Sequence, residues 1–320
     1  MSTPFVSVIC LTFNQCKHIA ETIDGILNQK IDFSIELLIH DDASTDGTGE
    51  IIKTYEKKYP QIVKAIIQEE NQFSKGKGFV GIPLCFAMSR GKYIAYCEGD
   101  DYWCDELKLQ KQVDFLEQNT EYAVCAHETK IINENYKNLD GILFSQFNDN
   151  FFLKLPQKEY KFEDTLTGNI FHISSIVFRN FPIEFPKWAN KFSALDVILF
   201  ILLARQGKIY FINEVMSVYR SNLKSITNSR AEYANSIAFN NMSIHIIRLM
   251  NRFFNREYQH LIYPILSRYY VRQAFLYLKK SNRSLPNAWL MTKMAGKYDA
   301  KTLVRYATVE FYEIFKRRLL

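Results

Sequence analysis

The sequence predicts an α/β fold with a doubly wound parallel sheet, followed by a helical C-terminal extension. In the first third of the chain, short apolar runs typical of strands buried on both faces alternate with amphipathic segments of helical length. Polar, turn-rich stretches follow several of these runs. Beyond residue 229 the periodicity is almost wholly helical.

Hydrophobic periodicity predicts the elements in order. Residues 5–13 (FVSVICLTF) form a continuous apolar run, which indicates a buried strand. The spacing of Ile19, Ile23 and Ile26 predicts a helix over residues 18–29. By the same criteria, further strands are predicted at residues 35–39, 63–68, 92–97, 122–127, 173–179 and 208–212, and helices at 48–59, 81–89 and 196–205.

Three of the predicted strands end in polar residues whose hydroxyl, amide or carboxylate groups could bind a ligand. These ends are Thr12-Phe13-Asn14, the stretch from Asp41 to Ser44, and the stretch from Glu98 to Asp101. In doubly wound sheets, ligands bind beyond the carboxyl ends of the strands. We therefore predict that these three stretches line one ligand-binding crevice.

The acidic stretch Glu98-Gly-Asp100-Asp101 predicts a cation site. Closely packed carboxylates repel one another unless a cation neutralises them, and oxygen ligands suit Mg²⁺ or Mn²⁺. Such an ion would also bind a diphosphate group. A solvated acidic turn that caps the next helix is the alternative. For the second stretch, capping by Ser44 and Asp46 is compatible with Asp42 facing the crevice.

Charge divides the chain of 320 residues into two regions. The 40 Lys and Arg against 34 Asp and Glu leave a net charge of +6, but residues 1–227 carry −5 and residues 228–320 carry +11. The basic, aromatic second region suits either a membrane surface or a second protein chain. The acidic first region disfavours nucleic acid.

Composition also limits the class of protein. The longest apolar run, residues 197–204, has eight residues, whereas a membrane-spanning helix needs about 20. No signal-like segment precedes the first strand, so we expect a cytoplasmic protein. None of the six cysteines forms a CxxC pair, which favours buried thiols in a reducing compartment over a zinc site at Cys97, Cys104 and His127.

The three strand-end motifs together resemble the inverting family 2 glycosyltransferases of the GT-A fold. The strings that carry the resemblance are VSVICLTFN, IELLIHDDASTDGT and GKYIAYCEGDDYW, and the last resembles a bacterial subgroup that builds surface polysaccharides. Glu98 stands where the family usually has Asp. The resemblance covers about residues 4–225 and implies a Rossmann-like mixed sheet with helices on both faces.

The resemblance implies a nucleotide-diphosphate sugar donor, most simply a UDP-sugar, bound with Mn²⁺ or Mg²⁺. Asp100 would ligate the metal, with Glu98 holding it through water or contacting the ribose, and Asp101 would contact the sugar or support the site. The base pocket and its surroundings would be formed by Thr12, Phe13, Asn14, Asp42 and Ser44.

The resemblance also implies a general base and an acceptor side. Asp196, before an apolar helix, matches the family's base, which takes the proton of the acceptor hydroxyl; a helix N-cap is its alternative role. Arg220 would steady the diphosphate. His127, His172 and Ser175 would lie near a saccharide or lipid-linked saccharide acceptor.

Two other functions remain open from the sequence. A sugar nucleotidyltransferase usually has a Gly-rich, basic loop after the first strand, and Leu11-Thr-Phe-Asn-Gln15 differs from it. A catalytically inactive adaptor protein would account for the basic region at residues 228–320. It would not explain why the acidic motif residues are all present. The basic residues 228–320 predict, as alternatives, peripheral docking on the inner face of the cytoplasmic membrane or formation of a homodimer.

Overall fold

A nine-stranded mixed sheet forms the centre of the first of two units, Met1–Ser221 and Asn222–Leu320. The computed structural model describes residues 3–76, 80–133, 141–147, 155–168, 170–192, 194–221, 237–280 and 285–304. The predicted boundary between residues 227 and 228 lies outside these residues and stays a prediction. The strands are β1 (Val6–Thr12), β2 (Ile35–Asp41), β3 (Val63–Ile67), β4 (Tyr93–Tyr96), β5 (Tyr102–Trp103), β6 (Tyr122–Asn133), β7 (Glu159–Tyr160), β8 (Val177–Arg179) and β9 (Lys208–Ser221).

The strand order is β3-β2-β1-β4-β8-β6-β9-β5, with β7 paired to β9. The first four positions are parallel, as predicted. Strand β8 is antiparallel to both β4 and β6, so the sheet as a whole is mixed. This arrangement confirms the mixed sheet that the family resemblance implies and corrects the all-parallel prediction from periodicity.

Helices cover both faces of this sheet. Those of the first unit are α1 (Ile19–Leu27), α2 (Thr48–Lys58), α3 (Gly81–Met88), α4 (Lys108–Gln118), α5 (Phe144–Phe147), α6 (Phe162–Thr165) and α7 (Leu195–Ala204). Alternate residues of a strand face opposite sides. Val8 of β1 shares a core with Ile23 of α1 and Val113 of α4, whereas Leu11 lies against Gly81 at the start of α3.

The second half of the sheet differs most from the sequence prediction. Residues Ile173–Ser175 form a 3₁₀ turn, and only Val177–Arg179 are extended. Strands β6 and β9 run well beyond residues 127 and 212, where their predicted ends lay. They pair in parallel with register shifts between His127 and Thr129, and polar side chains are buried there. Because buried polar residues interrupt the apolar run, the sequence pattern ends earlier than the strands do.

The second unit is helical in its described residues, as predicted. It contains α8 (Ile237–Phe253), α9 (Gln259–Lys280) and α10 (Leu285–Tyr298), and α9 packs against the other two. The Tyr298 ring lies 5.1 Å from that of Tyr263 and 5.4 Å from that of Tyr270. No helix in the described ranges combines the length and apolar character needed to cross a membrane. The predicted membrane or subunit contact stays a prediction.

Candidate active site

The three polar strand ends meet at one edge of the sheet. Strand β1 lies between β2 and β4 and is parallel to both, so the residues after Thr12, Asp41 and Tyr96 emerge on the same side. The Gly99 N–H donates to the Leu11 carbonyl over 2.9 Å. The convergence expected from the sequence is therefore present in the structure.

Hydrogen bonds join the loop after β1 to the loop after β2. Asn14 has a positive φ of 53°, and its N–H donates to Ser44 Oγ over 2.8 Å. In return, Asn14 Oδ1 accepts from the Thr45 N–H over 2.9 Å. Thr12 is buried and donates to Gln15 Oε1 over 2.6 Å, while Phe13 is 45% exposed. Phe13 thus presents an accessible ring beside a fixed loop.

The two neighbouring carboxylates at the end of β2, Asp41 and Asp42, have different surroundings and different hydrogen-bond partners. Asp41 is fully buried and accepts from the hydroxyl of Ser44. Asp42 is partly exposed and accepts from the N–H groups of Gln72 and Phe73, over 2.8 and 3.1 Å. Ser44 therefore binds Asp41 and Asn14 and does not cap α2, contrary to one expectation from the sequence.

Asp46 supports the start of α2. One oxygen, Oδ1, accepts from the N–H of Thr48 over 3.1 Å and from its hydroxyl over 2.6 Å. The other, Oδ2, accepts from the Cys16 N–H over 3.0 Å. Burial acts to raise the pKa of Asp46, but these hydrogen bonds lower it to about 2. Asp46 thus fulfils its predicted helix-start role and links α2 to the loop after β1.

Gly99 is required by close packing in the acidic loop. A Cβ atom at this position would lie 2.4 Å from Gln15 Oε1 and 2.7 Å from Thr12 Cβ. No side chain fits such distances without movement of the loop after β1. The main chain between Glu98 and Asp100 is consequently held directly against the end of β1.

Asp101 is the most enclosed carboxylate of the loop. It is fully buried; Oδ2 accepts from Ser174 Oγ over 2.6 Å, and Oδ1 accepts from the Arg220 N–H over 3.2 Å. Burial, with the charges of Asp100 and Glu98, raises its pKa well above the usual range. The sequence motif did not reveal Ser174, although it lies within the segment containing His172 and Ser175.

One group of side chains has the donor chemistry of a metal site. Ligand atoms of Glu98, Asp101 and His172 all lie within 4.8 Å of one another. Carboxylate and imidazole ligands suit a divalent ion such as Mn²⁺, and a cation would relieve the repulsion within the acidic loop. Asp101 and His172 are additions to the predicted ligand pair of Asp100 and Glu98. Asp100 lies outside this group, so its assignment as a ligand stays a prediction.

Arg220 joins β9 to the acidic loop. Its Nη1 donates to the Asp100 carbonyl over 2.8 Å, and its Nη2 pairs with the Glu21 carboxylate of α1. The guanidinium carbon lies 4.5 Å from the ring centre of Tyr102. The sequence predicted Arg220 as a site residue. It did not indicate Glu21, because the contribution of Glu21 depends on pairing with Arg220, 199 positions away.

The three predicted acceptor-side residues are all buried. His172 stacks on Tyr219 with ring centres 4.4 Å apart, and burial lowers its pKa to about 3. His127 and Ser175 are enclosed, with exposures of 1% and 0%. Ser175 Oγ donates to the His172 carbonyl over 2.7 Å. His172 lies beside the acidic loop, with its Nδ1 3.5 Å from Asp101 Oδ2, and none of the three exposes more than 8% of its surface.

Asp196 is the second residue of α7. Ala194 occupies the cap position, so Asp196 is not the helix N-cap. Asp196 is partly exposed while most of α7 is buried. Burial raises the pKa of the Tyr96 hydroxyl, and the charges of Glu98 and Asp196 both raise it further. Tyr96 is the last residue of β4, and the charges of Glu98 and Asp196 thus act on the same hydroxyl.

A buried lysine, Lys108, lies against Trp103, which follows the acidic loop in the sequence. Lys108 is fully buried, and its Nζ lies 3.9 Å from the centre of the Trp103 ring without a hydrogen-bond partner among the described residues. Trp103 Nε1 in turn donates to the Ser174 carbonyl over 3.0 Å. Burial lowers the pKa of Lys108 to about 7.

Lys108→Met is expected to change how stability depends on pH. The pKa of Lys108 is lower in the folded protein than its ordinary value of 10.5, so the unfolded chain binds more protons between these values and stability rises with pH. From pH 7 to 9 the free energy of unfolding should rise by about 2 kcal/mol more for the native protein than for the variant. Urea unfolding at several pH values measures this difference, and parallel curves would contradict it.

With this geometry in place, comparison with known proteins identifies the family. The family model for glycosyl transferase family 2 matches residues 7–184. The chain belongs to glycosyltransferase family 2. The chain is similar over 228 residues, at 34% identity, to an uncharacterized protein of Mycobacterium tuberculosis. The match covers 70% of this chain but only 61% of that relative's length.

Two further relatives carry functional names. The putative teichuronic acid biosynthesis glycosyltransferase TuaG of Bacillus subtilis is 25% identical over 74% of this chain and 86% of its own. The Escherichia coli protein WfaP, a UDP-Glc:α-D-GlcNAc-diphosphoundecaprenol β-1,3-glucosyltransferase, is 31% identical over 41% of this chain and 48% of its own.

Solved structures agree on the fold. Staphylococcus aureus TarS, residues 1–349, in complex with UDP-GlcNAc has a TM-score of 0.62 at 18% identity, covering 98% of this chain and 91% of that one. The mannosyltransferase PcManGT of Pyrobaculum calidifontis, in complex with GDP-Man and Mn²⁺, has a TM-score of 0.57 at 15% identity, covering 99% and 83%. These likenesses show that this chain has the GT-A fold.

Proposed function

We propose that this glycosyltransferase moves a hexose-type sugar from a nucleotide diphosphate, most simply UDP, to a hydroxyl of a saccharide or lipid-linked saccharide, with inversion. The observation that carries the proposal is the meeting of the β1, β2 and β4 ends, which gathers Thr12, Asp42 and the acidic loop at one edge. The UDP-Glc in the name of WfaP and the UDP-GlcNAc bound to TarS support a nucleotide-sugar donor. The teichuronic acid in the name of TuaG and the diphosphoundecaprenol in that of WfaP support a saccharide or lipid-linked saccharide acceptor.

The donor would lie across the ends of β1 and β2. The exposed ring of Phe13 would stack on the base, and Asp42, fixed by two backbone N–H groups, would accept a hydrogen bond from it. Asn14 and Ser44 hold these two loops at a constant separation. The site would thereby be preorganised for the nucleotide.

The diphosphate would lie beside the acidic loop. Asp100 and Glu98 would hold a divalent cation, with His172 and Asp101 close by. When bound, that cation would neutralise negative charge on the leaving diphosphate. Arg220 keeps the main chain of Asp100 in place. We assign Arg220 a supporting role for the phosphates through this contact.

Asp196 would act as the general base. Its carboxylate would accept the proton of the acceptor hydroxyl as that oxygen bonds to the anomeric carbon. The bond between the anomeric carbon and the diphosphate oxygen breaks, and the nucleoside diphosphate leaves with the bonding pair. Attack opposite the leaving group inverts the anomeric configuration. Retention of every acidic motif residue in this geometry favours catalysis over an inactive adaptor.

A thermal-shift panel of UDP-, GDP- and dTDP-sugars with and without Mn²⁺ tests donor binding. At 100 times its Kd, the true donor should raise Tm by roughly 5 °C. The rise should require Mn²⁺ or Mg²⁺ and disappear with EDTA. Product analysis by NMR with a saccharide acceptor then reports the anomeric configuration. No shift with any nucleotide sugar, or a retained configuration, would contradict the proposal.

A further inference from the structure

Helix α10 presents an exposed apolar patch. Trp289 is 66% exposed and Leu290 is 46% exposed, although both are large apolar side chains. Ala288 and Ala295, on the opposite side of the helix, are buried. Small residues thus lie on the packed side of α10, and the two large apolar residues face solvent.

Two lysines extend this patch along the helix. Lys293 and Lys297 follow Trp289 at intervals of four residues, which places all three in one row. Lys293 Nζ lies 5.4 Å from the centre of the Trp289 ring. Neither lysine forms a salt bridge with a residue that the structure describes.

Asp299, which is close to this row in the sequence, already accepts two hydrogen bonds. Asp299 is the one acidic residue in the sequence from 285 to 304. Its carboxylate accepts from the Thr302 hydroxyl and, over 3.0 Å, from the Lys301 N–H. The hydrogen bond from Thr302 is the largest cause of a lowered Asp299 pKa. Asp299 is thus held by its own hydrogen bonds, and neither lysine pairs with it or with another acidic residue in the part of the chain that the structure describes.

This combination matches one kind of surface. Tryptophan favours the interface between water and lipid, and lysines beside it are attracted to anionic headgroups. A symmetric contact with a second copy through the same face would bring the lysine rows together and cost repulsion. Leu290 adds apolar area that a phosphate backbone would not use.

We propose that the exposed face of α10, formed by Trp289, Leu290, Lys293 and Lys297, docks this protein on an anionic phospholipid bilayer. The face lies outside the residues that line the candidate active site. Docking is a property of the C-terminal unit and is independent of the catalytic assignment. It goes beyond the proposed transfer reaction by naming the surface on which the full chain would work.

Sedimentation of the full chain with phosphatidylglycerol vesicles in low salt tests this docking. K293Q/K297Q should weaken binding about 30-fold, since each lysine near an anionic surface contributes roughly 5-fold. The matched control is K53Q/K57Q, which removes two exposed lysines at the same spacing from α2 and should change binding less than 3-fold. Phosphatidylcholine vesicles should bind far more weakly.

A second variant tests the apolar part of the face. W289S/L290S should also lose vesicle binding, and both α10 variants should keep the native Tm and donor-induced thermal shift. Absence of binding at low salt, equal losses for both lysine pairs, or full binding by W289S/L290S would overturn the proposal. A native oligomer that dissociates in these variants, or tighter binding to single-stranded DNA than to vesicles, would likewise assign the face to another partner and overturn it.

Discussion

Asp196→Asn is expected to lower kcat by about 10³-fold while leaving donor affinity nearly unchanged. Asparagine has the size of aspartate but cannot accept the acceptor proton at neutral pH. Asp196 lies at the start of α7 and belongs to none of the loops that are expected to hold the nucleotide. The loss should therefore appear in turnover, measured as release of nucleoside diphosphate, and not in donor binding by calorimetry.

The matched control for Asp196 is Asp114→Asn on α4. Asp114 is exposed and accepts from Gln110 Nε2 over 2.9 Å, a bond that asparagine can also accept. This variant should retain native turnover. Full turnover by Asp196→Asn would refute the assignment of the base. A large loss of donor affinity in that variant would place the carboxylate in the donor site instead.

Asp100→Ala is expected to abolish metal-dependent donor binding, with a loss of affinity of about 100-fold or more in Mn²⁺. The side chain of Asp100 is partly exposed at the edge where the strand ends meet, whereas both oxygens of Asp101 already accept hydrogen bonds. Asp100 is thus the better placed of the two to meet a diphosphate. Calorimetry with the donor in Mn²⁺ and in EDTA measures the effect.

Two further variants make the Asp100 result specific. Glu106→Ala removes an exposed carboxylate a few residues later, which pairs with Lys30 at the surface, and should leave donor binding unchanged. His172→Ala distinguishes the two candidate sets of metal ligands, which are the predicted pair Asp100 and Glu98 and the buried group that contains His172. If Mn²⁺-dependent binding survives in Asp100→Ala but is lost in His172→Ala, the ion belongs to the buried group of Glu98, Asp101 and His172, and the Asp100 assignment is wrong.

Much of the fold could be predicted from local patterns. Strands β1, β2 and β4 are short apolar runs, and β2 and β4 pair in parallel with β1 on its two sides, as expected. The second half could not be predicted as well, because β8 has only three residues and the long β6–β9 pair buries polar residues such as Glu128 and Ser217. Side-chain hydrogen bonds satisfy these buried polar groups. The Ser145 hydroxyl donates to the Glu128 carboxylate, and Thr129 Oγ1 and Ser217 Oγ are hydrogen-bonded over 2.9 Å.

The sequence by itself determined which residues stand at the strand ends, because motif spacing and the strand period are local properties. It therefore placed Thr12, Asp42 and the acidic loop at one edge of the sheet before any contact was known. Only the tertiary structure decided which partners surround them. The contacts of Asp101 with Ser174 and of Arg220 with Glu21 join segments 73 and 199 residues apart. Such pairs form when the sheet and α1 bring distant segments together, and no local pattern encodes them.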